Sequence, residues 1–448
     1  MVFWGYLSLS NLKALTKIQS IILIAIIVVA LVIGGAAYVI LSGQDQSSET
    51  IKIGVCTDLE TTTGDAIWQG VVLAIEQVNA EGGVLGRKFE IVGEDSDFAT
   101  TMGDINFASN ALTRLITVDK ADFIIASGDA PPAAISYQEI VAIHKKILLM
   151  TSVSDDVLTQ RVLDDYSKYK YFFRTGIPNS TSGVDGITES IVTCRELTGL
   201  NKVAFLYHGV VSDLTSSLVD TLDDYGFDVV HTQQVMYDVV DFSSCFAQAE
   251  AAGAEILYPF IFGESGIYFV KEYYDRQSPM VMWGMVSIGS TNDFWQITDG
   301  KCEHITNNGY PVVIGYPLTS KTVATREAYI ERWGEEISGS AAAAYDTVRF
   351  ILVDAIERAG TIETDAVIEA LEETEVETSL ARRFLFTSSH DVMIGEAGPN
   401  RPTEDYFLVA MFQWQDGVQV PVCPIELMEE AGATYLFPPW SGPWDNLD

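Results

Sequence analysis

The sequence predicts an α/β protein built as two doubly wound parallel-sheet lobes, preceded by one N-terminal transmembrane helix. Three observations carry that prediction. A long uncharged apolar run lies near the start. After it, short strand-like segments alternate with helix-like segments. Midway, that alternation stops and begins again.

The apolar run comes first. Ile21 to Leu41 holds no charged residue. At ~1.5 Å rise per residue a helix of that length spans the ~30 Å hydrocarbon core of a bilayer. Lys13 and Lys17 precede the run, and the first acid after it is Asp45. Positive flanks stay in the cytoplasm, which leaves a tail of about residues 1–20 inside and the rest outside. The alternative is a long cleaved signal, which would leave the body secreted. Residues 42–50 form a polar stalk. No cysteine follows closely enough for lipid attachment.

The external chain then reads in order. Ile51 to Val55 alternates as a strand. Ile67, Val71, Val72, Ile75 and Val78 recur at helical spacing, and Gly82-Gly83 ends that helix. Phe89 to Val92 is a second strand. A helix over Ile105 to Ile116 leads to a third strand, Phe123 to Ile125. A helix over Pro132 to His144 leads to a fourth, Ile147 to Met150. The pattern restarts with a strand at Val203 to Tyr207 and a helix at Leu214 to Tyr225. Strands at Val229 onward, Ile256 to Phe262 and Met280 to Gly284 follow, with helices near Phe246 to Ala252 and Ile267 to Arg276. Such alternation implies parallel sheets with helices on both faces. Beyond Pro317 the chain is helical again. Val348, Ile351, Leu352, Ala355 and Ile356 share a face, and Gly360 caps that helix. Late strands at Phe384 to Phe386 and Tyr406 to Trp414 follow, with a hairpin turn at Gln415-Asp416-Gly417. Residues 431–448 form an aromatic and proline-rich tail, read as a strap packed on a lobe or else as an interaction motif or membrane-surface contact.

Composition limits function. The chain has 448 residues, with 26 Lys plus Arg against 62 Asp plus Glu, a formal net charge of −36. Nucleic-acid binding needs a basic footprint, so it is not expected. The five cysteines, Cys56, Cys194, Cys245, Cys302 and Cys423, form no CxxC pair, which removes zinc-ribbon and redox-pair readings. Outside the membrane one or two disulfides are possible among them. No histidine pair has metal-binding helical spacing, and phosphate loops are absent. Neither a cofactor nor a metal is expected, and a catalytic reading starts weak.

Several segments carry a resemblance. Ile51-Lys-Ile-Gly-Val55, Asn79-Ala-Glu-Gly-Gly-Val-Leu-Gly-Arg-Lys-Phe89 and Glu94-Asp95 resemble the opening of the type I periplasmic binding proteins, in particular the branched-chain amino acid and amide binding subunits of ABC importers. Phe173-Arg-Thr175, Lys202 to Tyr207, Ala344-Tyr-Asp-Thr-Val-Arg349 and Glu357-Arg-Ala-Gly360 are similar too. The likeness spans most of 51–420. It implies a hinge of three crossings, with lobe one at 51–173 plus 316–372 and lobe two at 175–315 plus 375–430. It also implies lobe closure on a small ligand, and docking on a membrane permease.

The resemblance points to candidate ligand contacts on loops after the strands. Trp68 matches an aromatic near the first loop, or packs on its own lobe. Ser127-Gly-Asp-Ala-Pro131 places Asp129 and Ala130 where the family often has serines. An acid there would repel a carboxylate and attract an amine. Ser152, Val153 and Ser154 match the loop after the fourth strand, where hydroxyls and N–H groups hold a carboxylate or carbonyl. Ser212 lies where the family often has Tyr, and Phe262 matches an aromatic of lobe two. Met285 stands near the acid that pairs an amino-acid ammonium in relatives. A buried ammonium without that partner would be costly, so a simple zwitterion is disfavoured unless Asp129 or Glu264 replaces it. Amides, urea-like compounds and small organic acids stay open.

Three functions are weighed on this reading. The first is an extracytoplasmic solute-binding protein that delivers its ligand to an ABC importer. The second is a ligand-sensing ectodomain of the same fold, suggested by the anchor. The third is an extracellular hydrolase, supported only by scattered Ser, His and Asp.

Overall fold

The computed structural model describes residues 50–98, 101, 103–127, 131–393 and 410–440. The apolar run Ile21–Leu41 and the end of the tail lie outside them. Among the described residues no helix is long and apolar enough to cross a membrane.

Two sheets organise Thr50–Asp448, which forms one compact unit. The first has the order β2-β1-β3-β4-β5 and is wholly parallel. Its strands are β1 (Ile51–Thr57), β2 (Phe89–Asp95), β3 (Phe123–Ala126), β4 (Ile147–Met150) and β5 (Phe172–Arg174). β3 and β4 are buried at every position, as central strands covered on both faces must be. The connecting helices are α1 (Thr62–Ala80), α2 (Ile105–Thr117), α3 (Pro131–His144), α4 (Asp156–Asp164) and the short α5 (Tyr166–Tyr169).

Local chemistry explains the boundaries. The Thr61 hydroxyl accepts the Gly64 N–H at 3.0 Å and starts α1, and Asp104 caps α2 in the same way. Ile67, Val71, Ile75 and Val78 of α1 are buried against the sheet. The helix ends where Gly82 and Gly83 take positive φ.

The second sheet repeats the plan. After α6 (Ser180–Thr198) come β6 (Lys202–His208), α7 (Ser212–Asp224), β7 (Asp228–Val235), α8 (Ser243–Ala251), β8 (Ile256–Ile261), α9 (Ser265–Arg276), β9 (Val281–Val286), α10 (Phe294–Ile297) and β10 (Thr306–Asn308). The order β7-β6-β8-β9-β10 matches β2-β1-β3-β4-β5 strand for strand. β13 (Met411–Gln415) and β14 (Val418–Cys423) extend it as an antiparallel hairpin. Asp416 and Gly417 both take positive φ, as a two-residue hairpin turn requires.

Between β10 and β13 the chain returns to the first core. It runs through α11 (Pro311–Ile314), α12 (Thr322–Trp333) and α13 (Gly339–Asp346). A π-helical stretch, Thr347–Leu352, continues α13 into α14 (Val353–Ala359), and α15 (Thr364–Glu372) follows. A Cβ on Gly70 would lie 2.2 Å from the Ala341 carbonyl, so glycine lets α1 and α13 touch backbone to backbone.

Leu380, Ala381, Phe384, Phe386 and Val392 belong to the same core as β1–β5. The segment 375–392, expected with lobe two, holds the short strands β11 (Glu375–Val376) and β12 (Phe384–Leu385) and therefore packs with the first sheet instead. Its apolar side chains find that core before the chain reaches β13. All five cysteines are buried free thiols, so the disulfides held open above are not formed. The strap reading fits up to Trp440: Tyr435 is buried beside Trp283, and Trp440 packs on Tyr273 and Tyr274.

Candidate functional site

In a doubly wound sheet the ligand crevice opens at the carboxyl ends of the strands, where the strand order reverses. The two sheets place that switch point between β1 and β3 and between β6 and β8.

The first edge is lined with buried hydroxyls. Thr57 ends β1, and Ser96, Ser127, Thr151 and Thr175 directly follow β2, β3, β4 and β5; all are buried. At the switch point the Thr57 and Ser127 hydroxyls share a hydrogen bond of 2.6 Å. The Thr175 hydroxyl accepts from Thr347, the first residue of the π-helical stretch, at 2.8 Å. Two of these hydroxyls satisfy the last carbonyls of the sheet: Thr151 donates to the Ala126 carbonyl at 3.2 Å and Thr175 to the Met150 carbonyl at 3.4 Å.

After β4 comes the loop Thr151-Ser152-Val153-Ser154. Val153 is buried and has φ +69°. A β-branched residue in the left-handed region is strained by its own Cβ, at a cost of about 1–3 kcal/mol. The surroundings hold it there. The Ser154 carbonyl accepts the Ser180 N–H at 2.6 Å and the Ser180 hydroxyl at 2.7 Å. Asp156 accepts the Thr181 N–H at 3.2 Å and its hydroxyl at 2.8 Å. The start of α6 thus clamps the loop. Among the described residues, no hydrogen bond reaches the N–H of Val153 or Ser154. Two neighbouring donors at a left-handed turn form a concave site for an oxygen acceptor.

The first crossing between the sheets lies alongside. A Cβ on Gly176 would sit 1.8 Å from the Thr151 carbonyl, so only glycine lets the crossing lie on that loop. Arg174 and Asp391 form a buried ion pair at 2.8 Å. Arg174 also donates to the Asp155 carbonyl at 2.6 Å, and Asp391 accepts the Asn179 N–H at 3.2 Å. Next to them the His390 ring stacks on Phe173 at 3.9 Å, with its nitrogens 2.9 Å from the Phe172 carbonyl and from Glu372. Burial pulls the His390 pKa down, opposed by those two oxygens.

The second edge is aromatic. His208 ends β6 and is fully buried. Its Nδ1 accepts the Phe262 N–H at 3.2 Å, which joins the ends of β6 and β8 and puts the ring proton on Nε2. Burial pushes this imidazole below its usual pKa, against the pull of the Met236 backbone. Tyr237, just after β7, lies 4.2 Å from the His208 ring, and Phe262 lies 5.9 Å from it.

The predicted contacts fall as follows. Ser152, Val153 and Ser154 line the loop after β4, at the first edge. Phe262 lies at the second edge, half-buried. Ser212 starts α7, and its hydroxyl donates to the Gly209 carbonyl at 2.9 Å. Met285 sits half-buried on β9 beside Phe260 and packs into the second core. Trp68 packs against its own lobe: a Cβ on Gly93 of β2 would meet its ring at 2.5 Å. Asp129 and Ala130 lie outside the described residues. Glu264 is exposed after β8. Sequence reasoning missed Thr57, His208 and Tyr237. His208 could have been found, because it directly follows a predicted strand and so stands at its carboxyl end.

Comparison with known proteins places this geometry. The model of the periplasmic binding proteins matches residues 50–397. The chain belongs to that family. A curated relative, Leu/Ile/Val-binding protein homolog 7 of Brucella abortus, is 23% identical over 399 residues, covering 86% of this chain and 94% of its own. The structure of a putative branched-chain amino acid ABC transporter from Silicibacter pomeroyi superposes with a TM-score of 0.73 at 20% identity, over 88% of this chain and 100% of that one. A branched-chain amino acid transporter substrate binding protein from Streptococcus pneumoniae, solved with isoleucine, gives 0.61 at 18% identity, over 83% and 98%. These structural likenesses support the fold: parallel α/β sheets of the periplasmic binding type.

Proposed function

We propose that this chain is an extracytoplasmic solute-binding protein that takes one small polar ligand between the carboxyl edges of its two sheets and hands it to an ABC importer. The observation that carries this reading is the loop after β4. Val153 is strained at φ +69°, and the neighbouring N–H groups of Val153 and Ser154 have no partner among the described residues. Strain held in place by a clamp, next to open donors, is what a preorganised ligand site looks like. Ser152, Ser154 and the Thr57–Ser127 pair stand on the same edge. Phe262, Ser212 and Met285 are the proposed contributions of the other sheet, Asp129 and Ala130 of the loop after β3, and Trp68 of a flank.

The proposed ligand lies in the range of amino acids, amides, urea-like compounds and small organic acids, and two relatives bear on the first of these. One is named for leucine, isoleucine and valine, and another holds isoleucine. Met285 carries no charge, which still disfavours a plain zwitterion. The three-crossing hinge belongs to the same proposal. So does the uncharged run Ile21–Leu41, read as an anchor on the outer face of the cytoplasmic membrane.

The test is a thermal melt of the full chain in detergent against such a panel. A ligand at 1,000-fold above its Kd stabilises the folded state by ~4 kcal/mol, a shift of a few degrees in Tm. One strong hit supports the reading. Well-folded protein that no compound shifts would remove it, and a hit on leucine or valine would overturn the argument from Met285.

A further inference from the structure

The second edge carries an apolar surface that the polar groups of the first edge do not explain. Tyr237 is 53% exposed, Met236 66% and Val210 70%, all on the loops that follow β6 and β7. On a chain of net charge −36, apolar groups grouped at one place point to something that covers them. Their position says what. They adjoin His208 and Phe262, which span the β6–β8 switch point, where a doubly wound sheet meets its ligand. His208 fixes the geometry. Its Nδ1 holds the Phe262 backbone, and its ring supports Tyr237 at 4.2 Å. The Tyr237 ring is therefore held from behind by a buried imidazole while its outer part faces solvent.

We infer that Tyr237, supported by His208 and flanked by Phe262, is the apolar wall of the ligand site. The ligand class is then a small carboxylate or amide with a flat or branched apolar body. This rests on the solute-binding reading. The open N–H groups of Val153 and Ser154 take the oxygen-bearing head, and the aromatic edge covers the body. Neither edge alone suits the whole molecule. A urea-like ligand would leave the aromatic wall wet, and a plain hydrocarbon would leave the N–H groups without a partner.

The experiment is isothermal titration of the full chain in detergent with benzoate, phenylacetamide, 4-methylpentanoate, acetate and urea, on the wild type, Tyr237→Ala and Tyr237→Phe. Probes with an apolar body are expected to bind at least about tenfold more tightly than acetate or urea, and Tyr237→Ala to lose about tenfold for those probes. Tyr237→Phe keeps the ring and stays close to wild type. Because Tyr237 is half-exposed, the ligand-free Tm of both variants is expected to fall by no more than a few degrees, and a Tm well above the titration temperature separates a lost contact from a lost fold. If acetate or urea binds as tightly as benzoate, or if Tyr237→Ala binds like wild type, the apolar-wall assignment falls and the solute-binding reading stands. The second result would make the patch a docking face for a membrane partner. If no probe binds folded wild type, both fall.

Discussion

At the residue scale, the buried ion pair beside the first crossing offers the sharpest test. Arg174 and Asp391 are both fully inside, 2.8 Å apart, and each also bonds backbone groups on neighbouring segments. Desolvating two charges is repaid only while both remain. Arg174→Met would leave the Asp391 carboxylate buried without its cation and should cost about 3–5 kcal/mol, read as a lower denaturant midpoint. Adding Asp391→Asn should recover most of that loss, because a neutral amide needs no counter-charge and can still accept the Asn179 N–H. A single variant as stable as wild type would show that the pair closes a crossing without holding it. No spacing rule foretells this pair: Arg174 was visible as part of a family-like segment, but its partner lies more than two hundred residues away. The same holds for Tyr237 on His208. Adjacency of that kind is set by sheet order, which periodicity alone does not give.

At the element scale, the strands and helices were largely legible because each buries one face and announces it. β3, β4 and the helix face at Val348, Ile351, Leu352, Ala355 and Ile356 fall where expected. β2 runs on to Asp95 because an edge strand keeps pairing with β1 after its apolar signal ends. β5 is too short to show a period. The continuous helix 339–359 hides one feature with a thermodynamic consequence. Asp346, at the entry to its π-helical stretch, is buried and accepts the N–H groups of Ser379 and Leu380 at 3.0 and 3.1 Å. Burial outweighs those bonds and raises its pKa to about 7. The unfolded chain ionises this group near 3.9, so between about pH 4 and 7 the folded state holds a proton that the unfolded state has lost. Asp346 thus contributes a loss of stability as pH climbs through that window, complete above about pH 7. Asp346→Asn keeps the acceptor for both N–H groups and removes the titration. It should flatten that part of the stability–pH curve and raise stability at pH 8 relative to wild type. A curve that keeps its slope in the variant would move the cause to other groups.

For the whole molecule, charge is the dominant fact. With 62 acids against 26 bases, the compact state works against its own repulsion. Among the described residues most ion pairs, such as Arg332–Glu76 and Arg383–Glu375, lie at the surface, where such pairs contribute little. Screening should therefore help more than it harms. Raising salt from about 0.05 to 1 M shortens the Debye length from over 10 Å to about 3 Å and should raise Tm by several degrees. The same field acts on the ligand, so one titration series can read the ligand's charge without knowing its structure. An anion approaches against a negative potential, and its affinity should rise with salt. A cation is drawn in, and its affinity should fall. A neutral amide should be nearly indifferent. On the proposed reading, the hydroxyl edge and the N–H groups of Val153 and Ser154, which no described residue accepts, favour an acceptor-bearing head, and Met285 would supply no anion for an ammonium. The expected outcome is affinity that is flat or rises with salt. A steep fall would mean that a cationic group binds, with exposed Glu264 or the Asp129 loop as its partner, and would overturn the inference drawn from Met285.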